Sequence, residues 1–222
     1  MKISLTGVLA TAALAVSMIS ANALTVSYST SIPLSTTNWD GFLTVPQFGL
    51  KCTLNQVCVS FNGTVSTIFS VESLDAAPSV ITTNSAAMIT LWDPANNLIG
   101  SVTPSSSSTF NASAFDGSVD FGGTSGSVVG PVTGSAGFPA CAVNPGILSE
   151  FIGNGSASFP VHAQGLSTAT GPGNLLALIQ TQASADITVT YYYTCVPEPS
   201  SVALIVGFGL SGGALMLRRR RK

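Results

Sequence analysis

Short runs in which apolar and polar residues alternate recur through the middle of the chain, while long uninterrupted apolar stretches stand at its two ends. Alternation with a period of two is the mark of a half-buried β-strand. Leu24 to Tyr28 alternates, Phe42 to Val45 is a short run, and Val57 to Phe61 alternates cleanly. Asn62-Gly63 then interrupts before Thr64 to Val71 resumes; this dipeptide reads as a hairpin turn or a bulge. Ala87 to Trp92 and Leu98 to Val102 flank Asp93-Pro94-Ala95-Asn96-Asn97, a hairpin connection. Ser118 to Phe121 and Ser158 to Ala163 are further strands. The strongest run is the last, with Ile187, Val189, Tyr191 and Tyr193 on one face and Asp186, Thr188, Thr190 and Tyr192 on the other. Gly122 to Gly137, rich in Gly, Ser and Val, reads as a loop, and Gly146 to Phe151 as a short helical turn. Eight or more short strands divided by turn residues predict an all-β chain, a single β-sandwich of jelly-roll-like or Ig-like form.

The two apolar ends carry different messages. Met1-Lys2 is a short positive start, Leu5 to Met18 an apolar core, and Ala21-Asn22-Ala23 a small-x-small cleavage site. Residues 1–23 thus read as a signal peptide cut by signal peptidase between Ala23 and Leu24; the alternative is an uncleaved N-terminal helix. At the other end, Ser200 to Leu217 carries no charge. As a helix those residues reach about 27 Å, close to the hydrocarbon thickness of a bilayer. Arg218, Arg219, Arg220, Arg221 and Lys222 follow at once, and such a cluster stays on the cytoplasmic side. A C-terminal transmembrane helix with the body outside is the expectation. Pro197 and Pro199 keep that helix from running back into the body. Gly209 and Gly213 form a single Gly-x-x-x-Gly step of the kind common in membrane helices.

Setting the ends aside changes the charge. Of seven cations, Lys2 belongs to the leader and five to the basic end, which leaves Lys51. Between Leu24 and Val196 the acids are Asp40, Glu72, Asp75, Asp93, Asp116, Asp120, Glu150 and Asp186, so the body carries a net charge of −7. Phosphate binding runs on Lys and Arg, and so nucleic acid is excluded as a partner. Anionic lipid is disfavoured on the same ground. The body, residues 24–196, has the length of one ordinary domain.

Pro197-Glu198-Pro199, the apolar helix and the terminal Arg cluster, in that order at the C-terminus, resemble a PEP-CTERM sorting signal over residues 197–222. The resemblance implies recognition by an exosortase, a membrane enzyme that cleaves near the triplet, in a Gram-negative bacterium that makes exopolysaccharide. A plain tail anchor is the alternative. Within the body, Ile32 to Trp39 and Leu43 to Phe48 resemble the opening of the choice-of-anchor E domain family. Phe151-Ile152-Gly153-Asn154-Gly155, Gly173-Asn174-Leu175 and Val189 to Tyr193 are similar to its second half. That family brings no biochemical activity and hence no site residues. The cysteines around Leu50 to Val59 depart from its pattern.

Cys52, Cys58, Cys141 and Cys195 all lie in the exported part, and an even count in an oxidising compartment reads as two disulfides. Three pairings are open. The expectation is a local clasp, Cys52 with Cys58, and a long-range bridge, Cys141 with Cys195. No metal site is expected, because the spacing does not suit zinc and His162 is the sole histidine. No catalytic constellation stands out, and the chain shows no Gly-x-Ser-x-Gly elbow and no phosphate loop, so no cofactor is expected. Glu72 with Asp75 and Asp116 with Asp120 are the carboxylate pairs a glycosidase would need; ordinary solvated turn acids are the plainer reading. Asp116 to Asp120 also offers oxygens for calcium, at low ligand density. Asn62, Asn111 and Asn154 open sequons that read as turns. The function expected is a structural or adhesive surface protein of an exopolysaccharide matrix. A carbohydrate-binding module, with Trp39, Trp92 and Tyr191 to Tyr193 as stacking candidates, is the alternative, and a secreted glycan-active enzyme comes third.

Overall fold

A computed structural model of the chain describes residues 23–140, 145–171 and 173–195. The strands are β1 (Ala23–Thr36), β2 (Trp39–Pro46), β3 (Thr53–Ser73), β4 (Ser79–Trp92), β5 (Leu98–Val102), β6 (Ser105–Ala112), β7 (Gly126–Ala140), β8 (Ser156–Gly165), β9 (Thr168–Thr170) and β10 (Leu175–Thr194). A 3-10 helix, Pro145–Phe151, stands where a helical turn is expected. Antiparallel pairing gives one sheet in the order β1-β10-β3-β7 and a second in the order β2-β8-β4-β5. β6 and β9 pair with the first half of β4. The two sheets face each other as a β-sandwich.

The alternation seen in the sequence is the alternation of burial. Val57, Val59, Phe61 and Val65 of β3 and Ile187, Val189 and Tyr191 of β10 point inward and are buried. Leu43 and Val45 of β2, Ile89 and Leu91 of β4, and Phe159 and Val161 of β8 meet them from the second sheet. Each such side chain contributes roughly 1.5–3 kcal/mol when fully buried. A smaller cluster, Phe69, Val71, Ile81, Ala112 and Val132, fills the other end. Between Val65 and Phe69 the inward position of β3 is Thr67. Its Oγ1 lies 2.7 Å from Ser85 Oγ and 3.0 Å from Ser167 Oγ, and donates to Thr181 Oγ1 at 3.3 Å. A belt of hydroxyls thus divides the two apolar clusters, and its members satisfy one another, as buried polar groups must.

Several expectations are corrected. Asn62-Gly63 is neither turn nor bulge: β3 runs straight through it, with Asn62 facing Asp186 and Gly63 facing Ala185. A Cβ on Gly63 would lie 2.6 Å from Ile89 Cδ1 and 2.9 Å from Val102 Cγ2. The glycine is there because the opposing sheet approaches closely, not because the chain reverses. Gly126–Ala140, which takes up most of the expected Gly-rich loop, is the edge strand β7. Its glycines again mark close approach, since a Cβ on Gly134 would meet the Ser105 backbone at 2.5 Å. Gly130 and Pro131 occupy the register shift opposite Ile68, a place where a residue without an N–H does no harm.

Ser118 to Phe121 is a turn, not a strand. Asp116 Oδ1 accepts the Ser118 N–H at 3.1 Å and Asp120 Oδ1 accepts the Gly122 N–H at 2.8 Å. Such local side-chain bonds offer the backbone an alternative to a ladder. β6, a serine-rich edge strand, has no counterpart among the expected runs.

The cysteine pairing also differs. Cys52 is bonded to Cys195, with Cα atoms 4.6 Å apart and a sequence separation of 143. The local clasp fails on simple geometry: the intervening residues are extended β3, which at about 3.3 Å per residue puts Cys52 and Cys58 ~20 Å apart. Thr53 faces Thr194 across the ladder, so the next residues outward, Cys52 and Cys195, meet. Closing so long a loop removes on the order of 5 kcal/mol of unfolded-chain entropy. Cys58 is buried on β3 beside Thr190, and Cys141 lies outside the described residues.

The expected leader up to Asn22 lies outside them too, as do Pro197, Glu198, Pro199, the apolar run and Arg218 to Arg221. The expected cut between Ala23 and Leu24 falls at the first residues of β1, which face Thr194 and Tyr193. Among the described residues no helix is long and apolar enough to cross a membrane.

Two outcomes follow. Peptide mapping without reductant should recover Cys52 linked to Cys195, and a Cys52–Cys58 peptide would contradict the pairing. Gly63→Ala should overpack the sheet interface and cost about 1–3 kcal/mol in denaturant unfolding; an unchanged midpoint would refute the close-approach explanation.

Candidate functional site

The carboxylate pairs singled out in the sequence serve the fold. Glu72 is fully buried, and Ser125 Oγ donates to its Oε1 at 2.6 Å, while Oε2 has no partner. Asp75 Oδ1 accepts from Asn174 Nδ2 at 3.0 Å. Asp116 and Asp120 cap turns, and the Ser118 N–H, the largest influence on the Asp116 carboxyl, helps hold its pKa below the usual range. No group of three or more His, Cys, Asp or Glu among the described residues could hold a metal ion. The sequon residues divide between strand and turn: Asn62 donates to Asp186 Oδ2 at 3.1 Å within the ladder, Asn111 lies on β6, and Asn154 lies between the 3-10 helix and β8. A groove of about 930 Å³ beside the β1–β2 turn is lined by uncharged side chains, among them Ser66, Ile68, Gln180 and Gln182.

The stacking candidates separate. Tyr191 is fully buried, and its hydroxyl donates to the Pro46 carbonyl at 2.8 Å. Its ring lies 6.0 Å from those of Tyr28 and Phe48 and 6.3 Å from that of Phe151. Tyr193 packs on Phe48 at 5.0 Å. Trp39 is half-buried against the main core, with its indole N–H buried and unpartnered. Tyr192 faces out from the first sheet, between Thr25 and Gln56. Trp92 is on the outer face of the second sheet, half-buried between Leu91 and Asp93, which point inward.

That outer face is ordered in rows, because antiparallel pairing sets equivalent residues side by side. Phe42 of β2 faces Pro160 of β8. Leu91 faces Val161, so the next residue along, Trp92, stands beside Pro160. Trp92 in turn faces Leu98 of β5. The result is a row of apolar side chains across four strands, with Phe42 68% and Leu98 63% exposed at its ends. On one side of it runs a polar row, Asp40, His162, Thr90 and Ser101. On the other, Thr44 Oγ1 lies 2.9 Å from Ser158 Oγ.

His162, an isolated histidine in sequence, is held here by a partner. Its Nδ1 lies 2.7 Å from Asp40 Oδ1, with the Asp side chain 87% and the His side chain 39% exposed. An exposed pair of this kind contributes at most about 1 kcal/mol to stability; its effect is to fix the imidazole on the sheet surface. The β4–β5 hairpin, which presents Trp92 and Leu98, is built on Asp93. Asp93 is buried, and its Oδ1 accepts the backbone N–H of Ala95 at 2.9 Å and of Asn97 at 2.8 Å. Asn97 Nδ2 also donates to Oδ2 at 3.0 Å, and Asn96 takes the left-handed turn with φ of 64°.

Phe42, Pro160, Leu98 and Asp40 are not among the sequence-derived candidates. Alternation marks each as lying on a strand face, but only the register of β2, β8, β4 and β5 puts them in one row with Trp92.

No family model matches the chain, and no curated protein matches it. Among solved structures, a chain from Desmodium yellow mottle tymovirus is 11% identical with a TM-score of 0.22, covering 89% of this chain and 98% of that one. The VP2 subviral particle of infectious bursal disease virus is 10% identical with a TM-score of 0.21, covering 78% and 38%. At these TM-scores the likenesses carry no argument.

Burial, with Tyr28 nearby, raises the Tyr191 phenol to about 12. The folded state therefore keeps its proton where the unfolded chain gives it up. This contribution to stability is therefore intact below about pH 10 and is lost as pH rises through 10 to 12. Absorbance titration near 295 nm should show one tyrosine ionising about two units later than an ordinary one, and Tyr191→Phe should remove that step. A late step that survives in the variant would contradict the assignment.

Proposed function

We propose that this chain is an exported surface or extracellular-matrix protein, structural or adhesive in exopolysaccharide, with a C-terminal sorting signal acted on by an exosortase. The observation that carries the reading is the Cys52–Cys195 disulfide. A bridge of this kind forms and persists in an oxidising compartment. In sequence, Cys195 lies two positions before Pro197, so the chain on the body side of the triplet is covalently fixed. Leu24 faces Tyr193, which brings the start of the mature body to that same end. Tension on the tail would load β10, a strand hydrogen-bonded on both sides, rather than a sheet edge.

The body is read as a choice-of-anchor E domain, and the form of its sandwich as a jelly roll. Support for the latter comes from strand order: β1, β3, β7 and β10 fall in one sheet and β2, β4, β5 and β8 in the other, with β1 beside β10 and β2 beside β8. This is the interleaving of paired Greek keys. The segregation of charge agrees with export, since a body of net charge −7 is joined to a pentacationic end.

The test is the intact mass of the protein recovered from the surface of cells with an active exosortase. Loss of residues 1–23 and of the Arg218–Arg221 cluster is the expected result. A full-length tail on the recovered protein would overturn the sorting proposal.

A further inference from the structure

We infer that the outer face of the second sheet is a binding platform for a neutral, extended polysaccharide, with the ring faces seated on Phe42, Pro160 and Trp92. The inference names a partner class for the surface role proposed above and rests on that reading only for where the polymer is met. Four observations on this face carry it. The apolar row is continuous over four strands and ends in two largely exposed side chains, Phe42 and Leu98. Contiguous exposed apolar surface on a soluble face marks an interaction site. The row is one residue wide and bordered by hydrogen-bonding rows, Thr44 with Ser158 on one side and Asp40, His162, Thr90 and Ser101 on the other. A pyranose has the same division, with C–H groups on its ring faces and hydroxyls around its rim.

Spacing agrees. Adjacent strands lie about 4.8 Å apart, so Phe42 and Trp92, two strands apart, stand roughly 10 Å from each other. That matches alternate rings along an extended chain, with Pro160 under the ring between. Charge then selects within the class. The only ionisable side chains on the rows are Asp40 and His162, paired with each other. The body holds one lysine and no arginine. A uronate or sulfated polymer finds no counter-charge and is repelled by the acidic body. Phosphate-rich partners are excluded on the same ground. Aromatic side chains offer broad, rigid contact at little entropic cost. Asp93 and the β4–β5 hairpin hold Trp92 in place before binding.

The experiment is affinity electrophoresis of the processed, oxidised protein in gels containing a neutral glucan, mannan or galactan, with alginate as the acidic control. At least one neutral polymer should retard the protein and alginate should not. Trp92→Ala and Phe42→Ser should each weaken retardation at least tenfold, and Thr188→Ala, on the other sheet, should leave it unchanged. Phe42 is 68% exposed, so its variant folds and remains informative if Trp92→Ala does not. No retardation by any neutral polymer, equal retardation of wild type and both variants, or preference for alginate would each overturn the inference. So would a self-associated protein in sedimentation that Phe42→Ser makes monomeric, because the face would then be a contact between copies. None of these results touches the sorting proposal, which the surface-protein mass decides separately.

Discussion

The pairing of β10 with β1 on one side and β3 on the other is the constraint on which the molecule depends. β10 faces β3 from Leu175 to Thr194 with one register shift, near its C-terminal end. Because side chains alternate, a slip of one residue would turn Ile187, Val189 and Tyr191 to solvent and bring Thr188, Thr190 and Tyr192 inside. The disulfide sits at the end of the same ladder and is possible only in this register, which brings Cys52 opposite Cys195. Tyr191, central to the aromatic cluster, ties β10 across the sandwich to the end of β2 through Pro46. One strand therefore links the covalent clasp, the main core and the second sheet.

Given that register, the interior is finished by fine fitting. Gly63 lets Ile89 and Val102 approach the first sheet, and Gly134 does the same for the backbone at Ser105. The hydroxyls of Thr67, Ser85, Ser167 and Thr181 occupy the boundary between the two apolar clusters and satisfy one another. Neither device needs a charged group in the core.

Much of this fold is legible in the residues alone. The alternation of Ile187 to Tyr193 and of Val57 to Phe61 gives the inward faces of β10 and β3, and Asp93 to Asn97 gives the β4–β5 hairpin. What is not legible depends on long-range contact. Gly63 and the glycines of β7 have the composition of turns because sheet-to-sheet approach and chain reversal both require glycine. β6 is hidden because an edge strand of serines has almost no apolar contrast. The cysteine pairing depends on which strands are neighbours, and spacing in sequence says nothing about that. Trp92 is visible as a stacking candidate, whereas Phe42, Pro160 and Leu98 join it only through register, and the Asp40–His162 pair is separated by 122 residues.

The outward apolar row and the clasped tail are thus both consequences of strand register, which makes the central pairing the proper object of test. Amide hydrogen exchange on the oxidised protein addresses it directly. The amides of Ile187, Val189 and Tyr191, with Val59 and Phe61 opposite, should be the slowest among the described residues, and exchange near Thr53 and Thr194 should accelerate first when the Cys52–Cys195 bond is reduced. Exchange of β10 as fast as that of the edge strand β1 would contradict it.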